Sequence, residues 1–388
     1  MLTIKLKKKE ERRVLRGHPW IFSNEIQDLP AEAAPGEPVE VRSHDGGFIG
    51  RGYINPRSLI AVRLLTRKRE EVDGQFFVRK IAAARDLRMQ LGFGESYRAV
   101  FSEGDGLPGL IVDKYADTLV VQSLTAGIDR KFDIIIEALR TVYAPKSIVY
   151  RNDTASRELE GLEQEKQMLF GDPSGIVEFE ESGIRYRTDV LEGQKTGFFF
   201  DQRENRLAIK ELVEGRRTLD CFCYVGAWAL TAAKFGAVQV IGIDSSEKAI
   251  TFARENAVLN RYNNVEFVMA DVFEQLREYE KQKERFGCVI LDPPAFVKSR
   301  AKVREALKGY KEINLRALRL LEPGGLLVTC SCSHHIDEAL FREMLIDASV
   351  SAGKQVRLLE IRSQARDHPM LLAAKETQYL KCAILQVE

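Results

Sequence analysis

The sequence predicts an α/β fold, with a doubly wound, mostly parallel sheet in the C-terminal half behind a small β-barrel and a central α+β unit. Three observations carry this. From about residue 200, short apolar runs alternate with stretches of helical period, as parallel strands joined by crossover helices do. Residues 1–72 instead break into short alternating strands around glycine turns. Finally, Asp220, Asp244, Asp271 and Asp292 stand at the ends of successive apolar runs, where ligands of an open α/β sheet collect.

Taken in order, residues 38–42 and 48–53 alternate around Asp45-Gly46-Gly47 and form the barrel's clearest hairpin. The middle unit, 73–190, opens with a connector helix over 76–89 that stops at Gly92. After Glu103-Gly104-Asp105-Gly106-Leu107-Pro108-Gly109 come strands at 110–113 and 118–122, a helix over 130–143, a strand at 147–151 and a hairpin turning at Glu181-Ser182-Gly183. The last unit, 191–388, holds strands at 218–222, 238–243, 265–269, 288–291 and 325–329, with 356–361 and 379–387 completing the sheet.

The chain has 388 residues with 45% hydrophobic and 30% charged residues, the balance of a folded globular protein with a sizeable core. No apolar run approaches the ~20 residues of a membrane helix, and the basic start around Lys7 is followed by no signal-type apolar core; a cytoplasmic protein with no membrane partner is expected. Net charge is only +1, so any nucleic acid must be met by local patches. One such patch is residues 1–70, with 14 Lys and Arg against 9 Asp and Glu.

All six cysteines, Cys221, Cys223, Cys288, Cys330, Cys332 and Cys382, lie in the last half and mostly in apolar runs, the usage of reduced thiols. Two Cys-x-Cys pairs lack histidines at zinc-knuckle spacing, so no metal is expected. Cys332 stands apart because Leu326-Leu327-Val328-Thr329-Cys330-Ser331-Cys332-Ser333 and the acid-proline run Leu291-Asp292-Pro293-Pro294 both end sheet strands. A soft nucleophile and an acid are thereby brought to one side of the sheet.

Gly226, in Asp220-Cys221-Phe222-Cys223-Tyr224-Val225-Gly226, allows a tight turn into the next helix. Asp244, followed by Ser245, lies 24 residues beyond Asp220, near the offset at which a carboxylate meets ribose hydroxyls. Asp271 is then available to an adenine amino group. The G-x-G-x-x-G cradle for a pyrophosphate is absent, which favours a nucleoside cofactor without phosphate, S-adenosylmethionine. The plain alternative for each acid alone is a helix N-cap.

These residues resemble class I S-adenosylmethionine-dependent methyltransferases, specifically bacterial 23S rRNA 5-methylcytosine methyltransferases with an N-terminal PUA domain. The likeness covers almost the whole chain: His18-Pro19-Trp20-Ile21-Phe22, Gly50-Arg51-Gly52-Tyr53, the glycine-rich run at 103–109, Gly193-Gln194-Lys195-Thr196-Gly197-Phe198-Phe199-Phe200-Asp201-Gln202-Arg203, Asp292-Pro293-Pro294, Ser331-Cys332-Ser333 and Asp367-His368-Pro369. It implies a PUA barrel, a central α+β domain and a Rossmann-like sheet of seven strands. It further implies that Gln202, Arg203, Asp220, Gly226, Asp244, Ser245, Asp271 and Val272 hold S-adenosylmethionine. By the same likeness, residues 195–203 pack over the cofactor. Arg16 in the basic stretch, Trp20 and Lys195 are candidates to meet rRNA through phosphate contacts and stacking, with a core tryptophan and a solvated charged edge as the plain alternative; the rRNA is either naked or in an early assembly intermediate, and a homodimer is possible.

Cytosine C5 is a poor nucleophile, so a thiolate must first add at C6; methyl transfer to C5 and loss of the C5 proton then expel the thiol. Cys332 is expected to be that nucleophile, with Asp292 hydrogen-bonding the pyrimidine edge and the two prolines fixing the turn. Many RNA 5-methylcytosine enzymes carry a second cysteine just after the acid-proline turn; here Ala295 stands there, an arrangement closer to uracil-5-methyltransferases. Uracil or another rRNA base therefore stays open as substrate, as does a non-catalytic RNA-binding ribosome-assembly factor. His334 and His335 read as exposed loop residues, and His368 as a turn-fixing one.

Overall fold

The computed structural model describes residues 1–172, 174–296 and 302–388. The chain divides into two compact units: Met1–Phe179 with Asp189–Phe200 and Arg366–Thr377, and Glu180–Thr188 with Asp201–Ala365 and Gln378–Glu388.

In the first unit, five strands lie side by side in the order Leu2–Lys5, Glu37–Arg42, Phe48–Ile54, Val62–Thr66 and Trp20–Ile21. The sheet rolls closed where Leu6 bridges Ile26, with Lys7 N donating to Glu25 O (2.9 Å) and Gln27 N to Lys5 O (2.9 Å). Closure removes the exposed edges that a short sheet would otherwise present. Leu6, Val14, Ile21, Val39 and Val41 fill its interior.

A second five-stranded sheet, ordered Lys166–Phe170, Ser147–Arg151, Thr118–Ser123, Leu110–Tyr115 and Tyr97–Phe101, packs with helices Gly74–Gln90 and Phe132–Tyr143. The first helix starts two residues earlier than its apolar spacing suggested, because the Asp73 side chain accepts from Phe76 N and caps it. Barrel and central sheet share side chains. Tyr53 is buried among the central residues, its hydroxyl donating to Pro108 O (2.7 Å), and Arg63 pairs with the buried Glu160 at 2.8 Å.

The second unit carries one seven-stranded sheet. Its strands in chain order are β1 (Arg217–Cys221), β2 (Gln239–Asp244), β3 (Val265–Met269), β4 (Phe286–Leu291), β5 (Leu321–Ser331), β6 (Val356–Arg362) and β7 (Lys381–Val387). In space they run β3-β2-β1-β4-β5-β7-β6, all parallel except β7, which is antiparallel to both neighbours. The crossover helices are α1 (Ala227–Lys234), α2 (Glu247–Leu259), α3 (Val272–Gln282), α4 (Val303–Leu320) and α5 (Glu338–Ala352). Every residue of β4 is buried, which is why its sequence is an unbroken apolar run rather than an alternation. β1 and β4 pair at the point where the strand order reverses, the switch point at which such sheets bind ligands.

Candidate active site

Asp220 lies inside β1 with no exposed surface; its Oδ2 accepts from Ala229 N at 2.9 Å, while Oδ1 is buried without a hydrogen-bond partner. Burial pushes its carboxyl well above the usual range, and the nearby carboxylates of Asp292 and Asp244 add to the effect. The loop that follows is strained, with Phe222 (φ 64°), Tyr224 (φ 48°) and Gly226 (φ 86°) in the left-handed region. Such conformations collect at functional loops. At Gly226 a Cβ would come within 2.8 Å of the Phe267 ring, so only glycine fits.

Asp244 ends β2, half-buried, with Oδ2 accepting from Tyr224 N and Oδ1 from Ser246 N, both at 2.9 Å. It ties the β1 loop to the start of α2. Ser246, not the exposed Ser245, caps that helix by accepting from Ala249 N. Asp271 is exposed and its Oδ1 accepts from Glu274 N at 3.0 Å, so it caps α3. Val272 puts its side chain into the core, leaving only its backbone to meet a ligand.

Asp292 follows β4. Its Oδ1 accepts from Gln202 Nε2 at 2.9 Å and its Oδ2 from the indole Nε1 of Trp228 at 3.0 Å. Gln202 is locked in turn, its Oε1 accepting from Asn205 Nδ2 at 2.7 Å. Its amide thus serves Asp292. Burial raises the Asp292 carboxyl to about 6, opposed by the two donors and reinforced by Asp201. Arg203 is engaged by Glu181 (3.0 Å), which also binds Arg206 (2.6 Å); this buried cluster holds the helix Arg203–Ala208 against the hairpin.

Cys332, just past β5, places its Sγ 4.0 Å from the carbonyl oxygen of Pro293 in the acid-proline turn. It is half-exposed, whereas the other five thiols are buried. Burial pushes the thiols of Cys221, Cys223, Cys288 and Cys330 up, leaving them inert. Cys330 faces Cys382 across the β5–β7 ladder in the core.

The run after the prolines is anchored by aromatic packing. Phe296 packs against Tyr310 with the rings tilted (centroids 4.6 Å apart) and meets Phe273 and Phe222, while the Tyr310 hydroxyl lies 3.0 Å from Ser333 Oγ. The two loops carrying Asp292 and Cys332 are therefore braced by one cluster. Trp228, Tyr310 and Lys381, whose Nζ donates to Ser333 O at 2.7 Å, were not singled out from sequence. A tryptophan two residues past the Gly226 turn was the one available hint.

A PUA-like domain matches residues 4–67, and the S-adenosylmethionine-dependent methyltransferase family matches residues 152–373. The chain belongs to that family. The methyltransferase is 42% identical to ribosomal RNA large subunit methyltransferase I of Aeromonas hydrophila, with 99% of each chain covered. It is also 42% identical to the protein of that name from Photobacterium profundum, with 98% of each covered. Among solved structures, one assigned as an S-adenosylmethionine-dependent methyltransferase from Streptococcus mutans has a TM-score of 0.85 at 20% identity, and another, complexed with SAH, has 0.86 at 20%; each pair is covered in full. At that identity the likeness concerns the fold.

The cofactor of the methyltransferase is S-adenosylmethionine, and the β1–β2 region fits it. The half-buried Asp244 and the unpartnered Oδ1 of Asp220 are acceptors suited to hydroxyl and amine donors. No glycine-rich phosphate cradle precedes α1, and this cofactor needs none.

The residues expected to face RNA lie in the first unit. Arg16 and Lys195 are exposed, and the Lys195 ammonium lies 4.9 Å over the Phe199 ring. Trp20 is partly buried, with its indole N–H donating to Glu103 at 2.8 Å and its ring edge-on to His18. His18 is buried and accepts from Trp20 N. It holds the turn that leads into the Trp20 strand. His368 is likewise buried, bonded to Asp367 at 2.8 Å and packed on Phe101. His334 and His335 are exposed. Among the described residues, no helix is long and apolar enough to cross a membrane.

Proposed function

We propose that the methyltransferase forms 5-methylcytosine in large-subunit ribosomal RNA through a covalent Cys332 adduct. The observation that carries this reading is the pairing, at the ends of β4 and β5, of a half-exposed thiol with a half-buried carboxyl: Cys332 Sγ lies against the carbonyl oxygen of Pro293, the residue next to Asp292. Relatives of the same length named for large-subunit rRNA supply the substrate class.

Cys332 as thiolate adds to C6, forming the S–C6 bond and shifting the C5–C6 electron pair into the ring. Asp292 in its acid form donates a proton to N3, where the negative charge would otherwise settle. A carboxyl raised to about 6 is a stronger candidate for that donation than an ordinary one. When bound, S-adenosylmethionine supplies an electrophilic methyl group for C5. A base then takes the C5 proton, the C5–C6 double bond re-forms as the S–C6 bond breaks and the Cys332 thiolate leaves, and N3 returns its proton to the Asp292 carboxylate. Cytosine is favoured over uracil because its N3 carries a lone pair for this donor, whereas uracil N3 already bears a proton.

Asp244 is assigned to the cofactor ribose. Asp244→Ala is expected to weaken S-adenosylmethionine binding by about 1–3 kcal/mol, the scale of a lost charged hydrogen bond; titration calorimetry checks it, and an unchanged affinity removes Asp244 from that role. Arg16 is assigned to a phosphate. Arg16→Ala should lower the slope of log K against log salt for rRNA fragments by about one, without altering cofactor affinity. A parallel, undiminished slope would place Arg16 outside the RNA footprint.

A further inference from the structure

Lys381 opens β7 as the register partner of Ser331, one residue from the nucleophile on the neighbouring strand. It is only 6% exposed. Its Nζ donates to the carbonyl oxygens of Ser333 (2.7 Å) and Tyr379 (2.8 Å), so the ammonium is fixed against the turn that carries Cys332. A buried ammonium is costly unless negative charge lies close by. The charged groups acting on it are the Cys332 sulfur and the Asp337 carboxylate, and against their pull burial lowers its own pKa to about 8.

Asp292 stands at the end of β4, and Tyr310 from α4, which also feels the Cys332 charge, bonds to Ser333. In the loop itself, His334 packs on Tyr379, and both His334 and His335 are exposed. Among the described residues, Lys381 is a buried cation against this turn.

We propose that Lys381 is a positioning residue for the nucleophile: its ammonium, clamped by two carbonyls, keeps the Cys332 sulfur as a thiolate ready to add to the base. The proposal rests on Cys332 being the nucleophile. It also gives a purpose to a lysine whose two hydrogen bonds go to neutral acceptors, an arrangement that would otherwise bury charge without return.

The test is the pH dependence of iodoacetamide alkylation at Cys332 in the full-length protein, read by peptide mass mapping. Wild type should reach half-ionisation below the ordinary thiol value of about 8.5. Lys381→Gln, which keeps a donor but removes the charge, should shift the profile upward by about one pH unit, so that alkylation at neutral pH slows about tenfold. Lys381→Arg should retain the low value. A purely structural lysine would change the melting temperature and leave the alkylation profile in place, and that result overturns the proposal. Should Lys381→Gln fail to fold, the wild-type profile decides alone: half-ionisation at or above about 8.5 sinks it. Methylation by Cys332→Ala separates the two readings, since an inactive variant with an unshifted Lys381→Gln profile removes only the role of Lys381.

Discussion

Cys332→Ala is expected to lose at least about a thousandfold in methylation rate, because the proposed mechanism makes Cys332 the group that forms the C6 bond. Fold and cofactor affinity should survive. The thiol is half-exposed and touches the Pro293 carbonyl at 4.0 Å, so its removal should cost no more than about 1 kcal/mol. Cys330→Ala is the informative contrast. That thiol is fully buried against Cys382, so its loss should lower the melting temperature while methylation continues. A single-turnover assay with labelled S-adenosylmethionine and unmodified large-subunit rRNA measures both variants, and equal losses in the two would remove the distinction on which the assignment rests.

Asp292→Asn should reduce the rate by about a hundredfold or more, the contribution of a positioned general acid, and should change the pH profile. In wild type, raising the pH ionises the thiol but also the Asp292 acid. Once the pH passes about 6, each gain in thiolate is offset by an equal loss of proton donor, and kcat/KM levels off. In Asp292→Asn that brake is absent, so the residual rate should go on climbing until the thiol has ionised. Stability should follow the same group with the opposite sense from a salt-bridged acid. Its folded pKa lies above the unfolded value, so its contribution is complete at low pH and is lost as pH rises through about 6. Denaturant midpoints of wild type and variant across pH 4–8 check this. A wild-type midpoint that rises through that range because of Asp292 would contradict the burial argument.

Much of this is legible in the sequence because parallel strands advertise themselves: the apolar run of β3 matches the strand to the residue, and those of β1, β2 and β4 differ from the strands by one or two residues at an end. β5 was read as five residues but spans Leu321–Ser331, since proline and glycine in its first turn mask the start. The pairing of Asp292 with Cys332 was legible because both end neighbouring strands. What escaped were partners supplied by other elements. Gln202 was read as a cofactor ligand from a motif, and only the fold reveals that its amide grips Asp292. Trp228 and Lys381 reach the site through hydrogen bonds from a helix and a distant strand, and no local spacing encodes that. Asp271 shows the reverse: of four strand-end acids, it is the exposed one whose carboxylate caps a helix, as any single acid there is apt to do.

The covalent step is tested most directly with RNA bearing 5-fluorocytosine at the modified position. Fluorine at C5 cannot leave as a proton, so elimination stalls after methyl transfer and the enzyme stays bound through sulfur. Wild type with S-adenosylmethionine should yield a denaturation-stable protein–RNA adduct whose crosslinked peptide contains Cys332, and Cys332→Ala should yield none. If wild type methylates ordinary RNA yet forms no such adduct, or if the adduct persists in Cys332→Ala, the nucleophilic role of Cys332 is contradicted.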